Sequence, residues 1–293
     1  RRGDLAERDP DGVVEGGDEV VDVRRAQVPR APRPHVGDAR HRPHPGDHEL
    51  AGAQVVQICD NMPLDGLPAA QLARIRSKAH ALGLILELGI RGSRPEQLRR
   101  NLEVAQALGA RVLRVVLSAP GWEPDEDQVL GLLHGLLPDL HAANATLAIE
   151  NRFRFAPRAL AGIVRRIDDP AVGACLDPLN SIANLIGPAE TIAALAPLAV
   201  TAHAKDAVVT RPGAGLAISG CPLGEGQVDL AAMVEALRST GRSPNVLAEG
   251  WMDPLDDPAA TLAQEEDWAR HGIAYLRRLV QRGREGSAGR RQG

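Results

Sequence analysis

From residue 53 onward, short continuous apolar runs alternate with stretches whose apolar residues recur every three or four positions, and the couplet repeats seven times. Gln54-Val55-Val56-Gln57-Ile58-Cys59 reads as a strand that ends at Asp60-Asn61. Pro68 to Leu82 then places Leu72, Ile75, Ala79 and Leu82 at helical spacing and closes on Gly83. The next strands are expected at Leu84–Leu88, Val112–Leu117, Thr146–Glu150, Val172–Asp177, Val200–Lys205 and Val246–Glu249. The helices between them are expected at Pro95–Leu108, Glu126–Ala143 (interrupted or kinked at Pro138), Pro157–Ile167, Pro188–Leu198, Leu230–Leu237 and Pro258–Leu279. A long loop, residues 207–226, precedes the Leu230 helix.

Strands this short and continuously apolar belong in a parallel sheet covered on both faces. Strict alternation fits either a doubly wound sheet or a closed barrel. No GxGxxG or GKS/GKT phosphate loop follows any strand, which weakens the nucleotide-binding version. Seven units also point to an eighth upstream, yet residues 1–50 hold no convincing strand for it. That segment carries nine Arg, eleven Asp or Glu, six Pro and four of the nine His, with apolar runs only at Val13-Val14 and Val20 to Val23. Such a composition buries little surface, and the prolines from Pro29 to Pro45 break helices and interior strands. The segment is expected to be poorly ordered, a non-native translation standing where the first strand and helix belong and leaving an open seam. The expected division is therefore residues 1–50 atypical, 51–283 folded, and 284–293 a disordered tail.

Bulk properties narrow the function classes. Apolar residues make up 44% of the chain and aromatics 2%, so the core is aliphatic. A net charge of -4 offers no basic footprint for nucleic acid. No run approaches the roughly 20 apolar residues of a membrane helix, and no signal-peptide core follows a basic start. Cys59, Cys175 and Cys221 form no CxxC pair and read as small buried residues rather than a zinc ribbon or disulfide framework. The expectation is a soluble cytoplasmic protein without nucleic-acid or membrane partners.

The strand ends carry the chemistry: Asp60, Glu87, Glu150, Asp177, His203 with Lys205-Asp206, and Glu249. In a barrel, polar residues at those ends build the active site. Glu150, Asp177 and His203 are separated by about one βα unit each, and Glu249 by one unit plus the long loop. They therefore sit at equivalent heights on successive strands. Any one alone reads first as an ordinary strand-end residue capping a loop. Together, three carboxylates and an imidazole repel one another unless a cation joins them. Oxygen-rich ligation with one His and no Cys favours Mn²⁺, with Mg²⁺ or Co²⁺ as alternatives.

Leu147-Ala148-Ile149-Glu150-Asn151, Ala174-Cys175-Leu176-Asp177, His203-Ala204-Lys205-Asp206, Gly224-Glu225-Gly226 and Leu247-Ala248-Glu249, in this order and spacing, resemble the sugar phosphate isomerase/epimerase group of the xylose-isomerase-like barrel superfamily. The resemblance implies an α/β fold, a (β/α)8 TIM barrel whose first unit is poorly represented or missing in residues 1–50. It also implies one divalent metal held by Glu150, Asp177, His203 and Glu249, with Glu150 and Glu249 as acid and base. The implied activity is isomerisation or epimerisation of a sugar, keto-polyol or small hydroxy-keto compound by proton transfer beside a metal-bound carbonyl.

Further residues are expected to line the substrate site. Lys205 pairs with a carboxylate or a substrate oxygen, or else with Asp206 or Glu225. Arg114 faces an anionic substrate group or neutralises Glu87 inside the barrel, the latter being favoured. Glu87, Asn180 and Trp251 complete the set, and Trp122 stands in another strand-end loop. Asn180 and Arg152 occupy places where members of the group commonly carry His. His80, His134, His141 and His271 are expected on helix surfaces. Two rival readings stay open: a barrel retained as a small-molecule binding module, and an endonuclease IV-like phosphodiesterase, which needs several more strand-end histidines. Relatives often pair through barrel faces, which leaves a homo-oligomer open.

Overall fold

The structure, a computed structural model, describes residues 52–289. Its strands are β1 (Val55–Ile58), β2 (Ile85–Arg91), β3 (Val112–Val116), β4 (Thr146–Glu150), β5 (Val172–Leu176), β6 (Ala199–Ala204), β7 (Asp206–Thr210), β8 (Ala217–Cys221) and β9 (Asn245–Ala248). The helices are α1 (Ala69–Ala81), α2 (Pro95–Leu108), α3 (Glu126–Ala143), α4 (Pro157–Ile167), α5 (Pro188–Leu195), α6 (Leu230–Ser239) and α7 (Pro258–Gly289). Seven strands form one sheet in the order β1-β2-β3-β4-β5-β6-β9, every neighbouring pair parallel.

The sheet curls into a nearly closed barrel. Gln57 on β1 and Asn245 on β9, at its two ends, hydrogen-bond the same carboxylate, Glu87, at 2.8 and 2.6 Å. Among the described residues, β1 pairs only with β2 and β9 only with β6. Both end strands are accordingly half-buried along their whole length, whereas β5 is buried at every position. The expectations for residues 1–50 lie outside the described residues.

The core between sheet and helices is aliphatic, with Leu98, Leu113, Leu133, Leu147, Ile149, Leu160, Ile163, Leu176 and Leu195 all below 2% exposed. Each such side chain contributes roughly 1.5–3 kcal/mol by leaving water. Helix α4 shows the pattern at work: Leu160, Ile163, Val164 and Ile167 form one buried stripe, and Pro157 sits at the first turn, where no N–H partner is needed. Asp125 caps α3 by accepting the Gln128 N–H while the Gln128 side chain accepts the Asp125 N–H.

Several boundaries differ from the pattern-based expectation. Helix α3 runs unbroken through Pro138, which forgoes only one bond to the His134 carbonyl. The α5 helix stops at Leu195 and passes into a 3-10 turn at Ala196–Leu198, where Pro197 cannot continue it. The last helix continues to Gly289, past residue 279 and through most of the segment expected as a tail. The stretch 207–226 is not a plain loop: β7 and β8 pair antiparallel around Pro212-Gly213. Strand β2 extends to Arg91, so Glu87 lies mid-strand rather than at its end. Among the described residues no helix is long and apolar enough to cross a membrane.

Candidate metal centre

Parallel strands put their C-terminal ends at one mouth, and alternation turns every second residue inward. Glu150 closes β4 and His203 lies near the end of β6, while Asp177, Lys205 and Glu249 follow β5, β6 and β9 directly. His203 Nδ1 lies 2.7 Å from Glu249 Oε2 and 3.8 Å from Asp177 Oδ2. Lys205 Nζ stands 2.8 Å from Asp177 Oδ2 and 3.0 Å from Glu249 Oε1.

The loops are built to present these atoms. Asn151 ties β4 to β5, accepting the Asp177 N–H and donating to the Asp177 carbonyl, both at 2.8 Å, and to Ser181 Oγ at 2.9 Å. Asp177 Oδ1 accepts the N–H groups of Leu179 and Asn180, each at 2.9 Å, so Oδ2 is the oxygen left to face the mouth. Asn180 Nδ2 donates to Glu150 Oε1 at 2.6 Å, while Glu150 Oε2 faces Arg114 Nε at 3.3 Å.

Among the described residues, Glu150 Oε2, Asp177 Oδ2, His203 Nδ1 and Glu249 Oε2 are buried and make ion pairs but no well-aligned hydrogen bond. Glu150 Oε2 pairs with Arg114, Asp177 Oδ2 with Lys205 and His203 Nδ1 with Glu249 Oε2, so the case for a metal rests on the donor set gathered at one mouth. Three carboxylate oxygens and one imidazole nitrogen are a donor set suited to a hard divalent cation. The residues therefore fit the metal. Asp177, His203 and Glu249 bring their ligand atoms within 4.8 Å of one another, and Glu150 forms a second such set with His203 and Cys175. Cys175, two residues before Asp177, is fully buried beside this set, the small buried residue the sequence led us to expect.

Below the mouth lies a buried polar layer. Arg114 reaches Glu150 Oε2 with Nε at 3.3 Å, Asp60 Oδ1 with Nη1 at 3.5 Å and the Ile90 carbonyl at 3.1 Å. It does not neutralise Glu87, the role favoured from sequence. Gly89, its ladder neighbour on β2, makes room: a Cβ there would stand 2.8 Å from Arg114 Nη2 and 2.8 Å from Cys59 Sγ. Glu87, 1% exposed, is held instead by neutral donors, Gln57 at 2.8 Å, Thr201 at 3.0 Å and Asn245 at 2.6 Å.

Electrostatics follow from these neighbours. Burial alone would raise the Asp177 and Glu249 carboxyls, but Lys205 and His203 outweigh it, taking Glu249 down to about 2 and Asp177 well below the usual range. Burial opposes charge on His203 and Lys205 too, yet Cys175, Asp177 and Glu249 raise His203, and Asp177 and Glu249 raise Lys205. Burial pushes the Cys175 thiol up to about 11.

Of the residues expected at the site, Glu150, Asp177, His203, Glu249, Arg114, Asn180 and Lys205 converge. Glu87 lies a layer deeper and meets His203 only through Gln57. Trp251 is 48% exposed, and its backbone packs on Gly220 of β8. Lys205 has neither Asp206 nor Glu225 as partner. Asp206 instead accepts four backbone N–H groups, from Ala207, Gly224, Gly226 and Val228, which shape the loop after β8. Gly226 lies so close to Asp206 that a Cβ would collide with it. Gln57 and Asn245 were missed, although alternation on their strands points both inward. His80, His134, His141 and His271 are exposed as expected, which leaves His203 the single site histidine among the described residues.

Comparisons place this fold among known proteins. The chain is 36% identical over 228 residues, 77% of its own length and 83% of the relative's, to the 3-oxo-isoapionate decarboxylase of Pectobacterium atrosepticum. Among solved structures it is similar to a xylose isomerase-like TIM barrel protein of Mycobacterium smegmatis in complex with magnesium, with TM-score 0.65 and 16% identity, covering 80% of this chain and 86% of that one. It is similar also to a D-psicose 3-epimerase crystallised in the presence of D-fructose, with TM-score 0.63 and 17% identity, covering 80% and 91%. Residues 49–279 match the xylose isomerase-like TIM barrel family, and the chain belongs to that family.

Proposed function

We propose that this chain is a divalent-metal-dependent enzyme that removes the carboxyl group of a small 3-oxo sugar acid. The observation that carries the reading is the likeness to a decarboxylase of such an acid over 83% of that relative's length. The converging donor atoms of Glu150, Asp177, His203 and Glu249 support it. A divalent cation, Mn²⁺ in the first instance, supplies Lewis acidity to a carbonyl and a neighbouring hydroxyl oxygen.

The chain's own residues handle binding and protons. In a 3-oxo acid the bond to the carboxylate breaks, carbon dioxide leaves, and the electron pair passes to the ketone oxygen as an enolate. The enolate carbon then takes up a proton that water supplies, leaving hydroxide to be neutralised by solvent, and the ketone is restored. Glu150 on β4 and Glu249 after β9 reach the mouth from strands three places apart in the sheet, so each can serve a different face of that carbon. Asn180 orients Glu150, and Lys205 with His203 keeps Glu249 ionised.

A second reading has support from the same pair of carboxylates: an isomerase or epimerase that takes a proton from one face beside the carbonyl and returns it from another. Both generate the enolate, and they differ in whether carbon dioxide or a proton leaves. The test supplies Mn²⁺ with a 3-oxo sugar acid in one arm and a panel of ketoses and inososes in the other. Metal-dependent carbon dioxide release, reduced at least 100-fold in Glu150→Gln and Glu249→Gln with metal binding retained, is expected. Epimerised ketose without carbon dioxide release selects the second reading. Absence of both, with no Mn²⁺ binding and no thermal stabilisation, rejects the enzyme.

A further inference from the structure

We propose that Arg152 recognises the carboxylate of an acidic substrate, an inference that rests on the oxo-acid reading above and names the residue that selects for it. The loop after β4 is built around this side chain. The Arg152 N–H donates to the Glu150 carbonyl at 2.9 Å, and the Arg154 N–H donates to the Arg152 carbonyl at 2.6 Å. These are two successive three-residue turns, the second of which holds Phe153 at φ +54°. A bulky side chain in the left-handed region costs about 1–3 kcal/mol and persists only where neighbours fix it. Here Asn184 Nδ2 donates to the Phe153 carbonyl at 3.2 Å, Arg154 Nε donates to the Pro124 carbonyl at 3.0 Å, and Asn151 is anchored to β5.

The strained loop presents a cation that, among the described residues, has no hydrogen-bond or ion-pair partner. Arg91 pairs with Asp60, Arg94 donates to the Gly121 carbonyl, Arg114 pairs with Glu150, and Arg154 donates to backbone carbonyls. The Arg152 guanidinium has no hydrogen bond or ion pair with any described residue, lies 5.4 Å over the Phe153 ring, and keeps a buried Nε unsatisfied. Beside it lies a small void of about 10 Å³, the size of one water, lined by Leu117, Glu150, Asn151, Arg154, Phe155 and Leu160, so a carboxylate would have to meet the guanidinium from its exposed side. A planar fork of N–H donors matches the two oxygens of a carboxylate, so Arg152 holds the acid end at the β4 side of the mouth while the oxo end faces the ligand quartet. A neutral sugar gains nothing from this contact, which makes Arg152 a determinant of specificity.

The test measures binding of unreactive probes to the Mn²⁺-supplemented protein by titration calorimetry: erythronate, a four-carbon acid, against erythritol, its neutral counterpart. Wild type is expected to prefer erythronate. Arg152→Gln is expected to lose about 10–100-fold in erythronate affinity, the range for a charged hydrogen bond, while erythritol and Mn²⁺ affinities stay unchanged. Arg152→Lys, a point charge without the fork, falls between. Equal erythronate affinity in wild type and Arg152→Gln, or no preference in wild type, overturns the inference. An Arg152-dependent preference in a protein that decarboxylates no 3-oxo acid overturns the decarboxylase reading and leaves this one standing.

Discussion

Gln57 Oε1 lies 2.9 Å from His203 Nε2, and this contact decides which ring nitrogen is left for a metal. The Gln57 amide donates through Nε2 to Glu87 Oε2 at 2.8 Å, so its oxygen is the end that meets the imidazole. An oxygen only accepts, so Nε2 carries the hydrogen and Nδ1 faces Asp177 and Glu249. Glu87 thereby acts on the site from a distance, by orienting the glutamine that orients the histidine.

Gln57→Leu removes that orienting acceptor. Supporting partners of metal-bound histidines are typically worth 10–100-fold in metal affinity. The variant is expected to bind Mn²⁺ that much more weakly by calorimetry with its fold intact by circular dichroism. Unchanged affinity would show that the ring is held by its ligand neighbours alone.

Metal affinity is expected to rise with pH. His203 is raised above its ordinary 6.5, so in the metal-free protein a proton rests on the ring and must leave as metal binds. Below the raised value the affinity should climb toward tenfold per pH unit, then level off. Titration in buffers of different ionisation enthalpy counts the released proton directly.

The metal-free protein should show the opposite alkaline trend in stability. The raised His203 contributes stability in full below 6.5 and loses it as pH climbs through its folded value. The depressed Glu249 contributes above 4.5 and loses its share as pH falls toward about 2, and Asp177 behaves alike. Thermal midpoints without metal should therefore peak between about pH 4.5 and 6.5 and decline on both sides.

Lys205→Met leaves the buried Asp177 carboxylate without its ammonium. Removing one member of a buried pair typically costs about 3–5 kcal/mol. Because a divalent cation can replace the lost charge, Mn²⁺ should raise the melting temperature more in this variant than in wild type. Equal metal-induced shifts would place Lys205 outside the cation site.

Gly89→Ala tests the interior arginine. The added methyl meets Arg114 Nη2 and Cys59 Sγ at 2.8 Å, closer than ordinary contact. Overpacking of this kind costs about 1–3 kcal/mol, read as a lower denaturant midpoint. Gly83→Ala serves as a comparison, because a Cβ there meets nothing within 4 Å and the only strain is its φ of +67°.

The sequence by itself determined the alternation of strands and helices and the height of Glu150, Asp177, His203 and Glu249 on them. Both follow from local periods, two residues in a strand and 3.6 in a helix, that hold before any long-range contact forms. The partners were decided by tertiary structure alone. Arg114 finds Glu150 rather than Glu87 because Gly89 opens the way on a neighbouring strand. Gln57 meets His203 across 146 residues of chain, and Asn245 meets Glu87 across 158. Nothing in a strand's own pattern says which inward residue lies opposite once the sheet has curled. The same holds for Arg152: its place after β4 is legible in the chain, whereas its lack of an ion pair among the described residues appears only once the neighbouring arginines have found theirs.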